Sequence, residues 1–148
     1  MPAVEIRAIV GEDVWSSYYT WCVERNPWDK VISDYYFRFR VPETRPPLRT
    51  FIESGLADAS VLNLPRYTVG GKVAVDLVAR YEDLTSELAR VERRLGLPSE
   101  ALVLPRAKAH YRTDRRHYSA AYRPAEADLV AQLFAEEIAL HRYRFDRV

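Results

Sequence analysis

The chain has 148 residues, a length that fits one domain or part of one. Hydrophobic residues make up 48% of it, enough for a core, and the net charge of +1 excludes binding of polyanions by bulk electrostatics. Cys22 is the only cysteine, which excludes an intrachain disulfide. No run approaches about 18 apolar residues, and no basic-then-apolar leader opens the chain. We therefore predict a cytoplasmic protein that binds neither nucleic acid nor membrane.

The first half of the chain predicts a strand, a tight turn and a helix. A short helix over residues 4–10 ends at Gly11. The run from Tyr18 to Val23 is typical of a strand buried on both faces, as in a parallel sheet. Asn26 suits the N-cap and Pro27 the first position of a helix that follows directly. Its apolar residues recur at helical spacing: Val31, Ile32, Tyr35, Tyr36 and Phe39.

The second half predicts further strands alternating with helices. A helix over 48–56 precedes a hairpin whose two-residue turn is Gly70-Gly71, and the second strand of that hairpin is expected to continue to Arg80. A helix over 84–95 ends at Gly96, and the final helix begins at Pro124. This alternation indicates an α/β fold.

One segment has the outline of an anion site. A helix N-terminus offers backbone N–H groups and the positive end of the helix dipole. Arg25 precedes that helix and can fork onto phosphate oxygens, and Ser33 on its second turn can add a hydroxyl donor. The alternative is that Asn26-Pro27 only starts a helix and Arg25 pairs with Glu24 or Asp29.

This segment, Trp-Cys-Val-Glu-Arg-Asn-Pro-Trp-Asp-Lys-Val-Ile-Ser-Asp-Tyr-Tyr over residues 21–36, resembles a known motif. It is similar to the 3'-phosphate-binding motif of carbohydrate sulfotransferases, nearest in style to the heparan sulfate 2-O-sulfotransferase-like branch. The resemblance continues through residues 75–84, 95–98 and the C-terminal region that holds Tyr118, Tyr122 and residues 130–145. It covers nearly the whole chain, so residues 1–148 are interpreted as a partial sulfotransferase domain.

The resemblance implies a donor, an acceptor and a fold. The donor is 3'-phosphoadenosine 5'-phosphosulfate (PAPS), the acceptor is a carbohydrate hydroxyl, and no metal takes part. Arg25 and Ser33 would bind the donor's 3'-phosphate, together with Asn26, Trp28 and, from a basic segment, Arg112. The implied fold is a P-loop NTPase-like parallel sheet flanked by helices, incomplete at its N-terminal end.

The sequence departs from the family in one respect. Relatives begin with a strand and a Pro-Lys-x-Gly-Thr-Ser-type loop that holds the 5'-phosphosulfate, and with a His that serves as base. Neither lies in these 148 residues, and Gly70-Gly71-Lys72 is no substitute because no Ser or Thr follows it. We therefore expect this polypeptide to be inactive by itself, with its catalytic residues unknown. Two alternatives stay open: a non-catalytic module that binds 3'-phosphoadenosine nucleotides, and a truncated gene product or subunit whose missing strand and loop come from another chain. The partners left open are a homo-oligomer and such a completing chain.

Residues 106–123 form a basic segment with two histidines. It carries Arg106, Lys108, His110, Arg112, Arg115, Arg116, His117 and Arg123 against one acid, Asp114. A site for the donor and an acidic glycan, or a solvated loop, are both consistent with it. His110 or His117 could replace the missing base. No metal-ligand spacing occurs.

Trp28 and Tyr35 could stack on adenine, although aromatic residues at helical spacing usually belong to the core.

Overall fold

The computed structural model describes residues 1–104, 114 and 116–146, apart from the side chains of residues 58–60. Contacts within the chain define two compact units, Met1–Arg25 with Asn63–Pro105, and Asn26–Leu62 with Arg106–Val148. The described elements are, in chain order, α1 (Ala3–Val10), α2 (Glu12–Ser17), β1 (Trp21–Glu24), α3 (Pro27–Arg38), α4 (Leu48–Glu53), α5 (Leu56–Val61), α6 (Leu64–Tyr67), β2 (Thr68–Val69), β3 (Lys72–Val73), β4 (Leu77–Arg80), α7 (Leu84–Leu95), α8 (Pro124–Leu133) and α9 (Ala135–His141). Short 3-10 helices occupy Pro42–Thr44, Tyr81–Asp83 and Tyr118–Ala121.

The first unit contains a small parallel sheet with helices around it. Strand β1 pairs with β4 in a parallel register that runs from Trp21 opposite Leu77 to Glu24 opposite Arg80. Ala79 and Leu77 pack with Val91 of α7 in one apolar cluster, because α7 directs its apolar face at the sheet. The predicted α/β class is thus confirmed at the level of a parallel sheet flanked by helices.

Two strand predictions are wrong in their extent. The strand predicted over 18–23 lies at Trp21–Glu24, because α2 continues to Ser17 and Tyr18 ends it. Its residues are half-buried rather than buried on both faces, except for Glu24 at its end.

The second strand of the hairpin does not continue to Arg80. The turn itself is confirmed: Gly70 and Gly71 have φ angles of 59° and 75°, the geometry that a two-residue turn of this type needs. After β3, however, the carboxylate of Asp76 accepts hydrogen bonds from the Thr20 main-chain N–H at 2.7 Å and from its hydroxyl at 2.8 Å. These bonds hold the chain beside the start of β1. The next strand, β4, therefore pairs with β1 in parallel rather than continuing the hairpin.

The second unit is helical in the residues described. Helix α3 begins at Pro27 as predicted, and the last helical region begins at Pro124 as predicted. The single helix predicted over 48–56 is instead divided into α4 and α5 at Gly55, whose φ of 74° interrupts a helix. A core of buried apolar side chains joins α3, α4 and α8, with these members fully or almost fully buried: Val31, Phe51, Ile52, Val130 and Phe134.

Among the described residues no helix is both long and apolar enough to cross a bilayer.

Candidate functional site

The start of α3 is fixed by Asn26. Its side-chain Oδ1 accepts the main-chain N–H of Trp28 at 3.1 Å, so Asn26 is the N-cap that the sequence predicts. Its amide nitrogen donates to the Tyr118 hydroxyl at 3.3 Å and to the Arg144 carbonyl at 3.4 Å. Asn26 is buried, and its side chain therefore joins the helix start to two segments far along the chain.

Aromatic side chains surround that helix start within the second unit. The indole N–H of Trp28 donates to the Ala127 carbonyl at 2.9 Å, and its ring meets Phe145 edge-on at 5.5 Å. The Tyr122 hydroxyl donates to the Trp28 carbonyl at 2.8 Å. Burial raises the pKa of the Tyr118 hydroxyl, so that group stays protonated and able to donate at neutral pH. Trp28 is thus a core residue rather than an adenine platform.

Tyr35 also belongs to the core. It is buried against Phe51 and Phe39, and its hydroxyl donates to the Pro46 carbonyl. Stacking of adenine on Trp28 or Tyr35, which the sequence left open, has no exposed ring face to use in this structure.

Arg25 lies at the carboxyl end of β1 in the first unit. Its guanidinium carbon stands 4.4 Å from the ring centre of Tyr81, the residue that follows β4, so the pair makes a cation–π contact. The Glu24 carboxylate accepts the Arg25 main-chain N–H at 2.9 Å and the Asn63 amide at 3.3 Å. Arg25 as a whole is half-buried.

Lys30 and Ser33, the next polar residues of the motif, have different surroundings. The Lys30 ammonium forms a buried ion pair with Glu137 of α9 and lies 5.0 Å from the Phe134 ring centre. Its charge is therefore already neutralised inside the second unit. Ser33 lies half-buried on the second turn of α3, where the sequence places it.

Most of the basic segment lies outside the described residues, including Arg112, Arg106, Lys108, His110 and Arg115. The proposed roles of these residues remain predictions. Of the described part, Arg116 makes a bidentate pair with Asp114, with its Nη2 at 2.8 Å from Oδ2, and its side chain is 72% exposed. His117 is the N-cap of the 3-10 helix Tyr118–Ala121, and its Nδ1 lies 2.9 Å from the Ser119 hydroxyl. No cluster of three or more His, Cys, Asp or Glu side chains in the described ranges could hold a metal ion.

Two partners at this segment were missed by the sequence analysis. One is Tyr81, which contacts Arg25 because the parallel register brings the ends of β1 and β4 side by side. The sequence signal was the aromatic residue directly after the strand. Glu137 as the partner of Lys30 had no comparable signal, because 107 residues separate the two.

Comparison with known proteins finds a relative that shares most of its length with this chain. An archaeal protein of Archaeoglobus fulgidus is 40% identical over 105 residues, which are 68% of this chain and 86% of that protein. Its printed name, uncharacterized protein, assigns no activity. No protein-family model matches the chain. No solved structure matches it either.

Proposed function

The chain belongs to the same family as the Archaeoglobus protein, and we propose that its segment from Arg25 to Ser33 binds the 3'-phosphate of an adenosine nucleotide of the PAPS type. The proposal rests chiefly on Arg25, a half-buried residue whose guanidinium contacts an aromatic ring at the carboxyl end of a parallel strand. In open α/β sheets ligands bind at that edge. Arg25 directly precedes, in sequence, a helix that is capped by Asn and started by Pro, and such helix starts favour anions.

The contacts within the segment reduce the number of groups available to the phosphate. The Trp28 N–H is bonded to Asn26, and the Lys30 ammonium is paired with Glu137. The resemblance assigns the phosphate to Arg25 and Ser33, and we keep that assignment. Asn26 and Trp28 support the helix start, and any binding role of their side chains has to compete with the bonds they already make.

We extend the proposal to the sulfotransferase reaction that the sequence resemblance implies. Bound PAPS would supply the sulfuryl group, and the acceptor would be a carbohydrate hydroxyl. The residues of this chain would hold the 3' end of the nucleotide, which positions the donor. Catalysis of such transfers is mainly positioning and electrostatic stabilisation. The proposal also implies that the α/β fold is a P-loop NTPase-like parallel sheet.

A binding module without turnover is the second candidate. These 148 residues contain no Pro-Lys-x-Gly-Thr-Ser stretch of the kind to which the resemblance assigns the 5'-phosphosulfate. Transfer of labelled sulfate from PAPS to a panel of glycans by this polypeptide would exclude the module without turnover. We expect the 148-residue polypeptide to show no transfer above an Arg25→Ala, Ser33→Ala control, either alone or as a homo-oligomer.

The 3'-phosphate assignment is tested by titrating adenosine 3',5'-diphosphate and following its phosphorus NMR signals, with adenosine 5'-monophosphate as the comparison. We expect the diphosphate to bind with a Kd on the order of 0.1–1 mM and the monophosphate to bind at least about tenfold more weakly. Hydrogen bonds to charged groups contribute roughly 1.5–3 kcal/mol. Arg25→Ala should therefore abolish saturable binding, whereas Arg25→Lys, which keeps the charge but loses the fork, should retain part of it.

Arg38→Ala is the matched control, because Arg38 lies at the end of α3, is exposed, and is paired with Asp34 at 2.7 Å. It should leave the affinity unchanged. Equal affinity for the two nucleotides, or an Arg25→Ala variant that binds like the wild type, would show that the Arg-Asn-Pro turn only starts a helix.

A further inference from the structure

The first unit contains a cleft that the proposed nucleotide site does not use. Its volume is about 500 Å³, which falls within the range of small-molecule sites. β1 contributes Trp21, Cys22 and Val23 to its lining, and α1 contributes Ile6. All of its lining residues belong to the first unit.

The walls of the cleft are aromatic. Trp15 of α2, Tyr19, Trp21 and Tyr67 of α6 all line it. Aromatic rings provide large flat surfaces at low cost in conformational entropy, and they favour flat ligands that stack or meet them edge-on. Such a lining is typical of a site for an aromatic ring system.

The charge at the cleft is positive. Arg66, which is exposed at the edge of the cleft, is the only charged side chain among its described lining residues, and no carboxylate lines it there. The guanidinium carbon of Arg94 lies 5.4 Å from the ring centre of Tyr19 and adds a second cation near this wall. Two acids bonded to lining residues have polar partners there: Asp76 accepts from the Thr20 hydroxyl, and Glu24 accepts from the Asn63 amide.

We propose that this cleft binds a small aromatic compound carrying one anionic group, with its rings between the aromatic walls and its anion at Arg66. The proposal does not depend on the nucleotide site. Asn63, which also lines the cleft, can add a polar contact beside Arg66. A neutral aromatic compound should bind more weakly, because it leaves the cation unpaired.

Cys22 makes the proposal testable, since it is the only cysteine of the chain and lines the cleft. The probe is naphthalene-2-sulfonate, and naphthalene-2-methanol is its neutral counterpart. The measurement is the rate at which iodoacetamide alkylates Cys22 in the folded 148-residue chain, followed by intact mass. For a ligand of this size we expect a Kd on the order of 0.1–1 mM and about fivefold or greater protection by 5 mM sulfonate.

Substitutions at the rim test the role of charge without disturbing the fold. Arg66→Gln should weaken the sulfonate about two- to fivefold and remove its advantage over the neutral compound, while Arg66→Lys should retain most of the affinity. Arg90→Gln is the matched control, because Arg90 is exposed on α7 and only loosely paired with Glu87 at 3.8 Å. Circular-dichroism melting verifies that all three variants are folded.

Two results would overturn the proposal. If saturating sulfonate leaves the alkylation rate of Cys22 unchanged, the cleft does not bind aromatic anions. The assigned anion contact is wrong if the sulfonate protects Cys22 equally well in the Arg66→Gln variant and in the wild type. It is also wrong if the neutral compound protects Cys22 of the wild type as well as the sulfonate does.

Discussion

The buried ion pair between Lys30 and Glu137 leads to a sharp prediction about stability. Lys30 is 5% exposed and Glu137 is 0% exposed. Lys30→Met removes the cation and leaves the carboxylate of Glu137 buried without that partner. Breaking such a pair from one side costs about 3–5 kcal/mol. A domain's whole free energy of unfolding is about 5–15 kcal/mol, so we expect a large loss of stability.

The assay is equilibrium unfolding in urea, followed by tryptophan fluorescence. With a denaturant slope of about 1–3 kcal/mol/M, the midpoint should fall by roughly 1–5 M. The double variant Lys30→Met, Glu137→Leu should recover most of the loss, because replacing both charges by apolar groups of similar volume is often neutral. The double-mutant cycle should therefore give a coupling energy of several kcal/mol.

The exposed pair of Arg49 and Glu53 provides the control. These side chains are 59% and 46% exposed and lie 2.8 Å apart on α4. Arg49→Met should change stability by less than about 1 kcal/mol, since exposed pairs contribute little. If Lys30→Met costs no more than Arg49→Met, or if the double variant costs the sum of its single changes, the reasoning about the buried pair is refuted.

Three further predictions concern single side chains. Asn26→Ala should destabilise the chain by about 0.5–2 kcal/mol through loss of the cap, and Asn26→Ser should recover part of this in thermal melts. Tyr81→Leu should weaken adenosine 3',5'-diphosphate about two- to fivefold through loss of the contact with Arg25, and Tyr81→Phe should not. Burial, and secondarily the charge of Glu24, raises the pKa of the Cys22 thiol to about 11, so its alkylation rate should rise about tenfold per pH unit from 7 to 10. A rate that levels off below pH 9 would contradict this.

The parts of the fold that local chemistry determines could be predicted from the sequence. Asn26-Pro27 starts α3, Gly70-Gly71 forms the hairpin turn, and Gly96 ends α7. Each depends on residues within a few positions of one another. The extents of β1 and β4 could not be predicted, because they depend on the bonds between Thr20 and Asp76, which are 56 residues apart.

The candidate site divides in the same way. The order of Arg25, Asn26 and Ser33 along the chain was enough to predict the outline of an anion-binding turn. The partners of its polar groups could not be predicted, because Lys30 contacts Glu137 and Arg25 contacts Tyr81 only in the folded chain. Sequence order identified the types of group present, whereas the structure showed which of them are already neutralised or bonded.

The position of Arg25 explains why one guanidinium can carry most of the proposed anion binding. A free arginine side chain has about 2 kcal/mol of rotamer entropy to lose when it fixes a phosphate. Contact with the Tyr81 ring restricts the guanidinium before any ligand arrives, so part of that loss occurs on folding instead. Tyr81 therefore acts through Arg25, which is why replacing the ring should lower nucleotide affinity while removal of its hydroxyl should not.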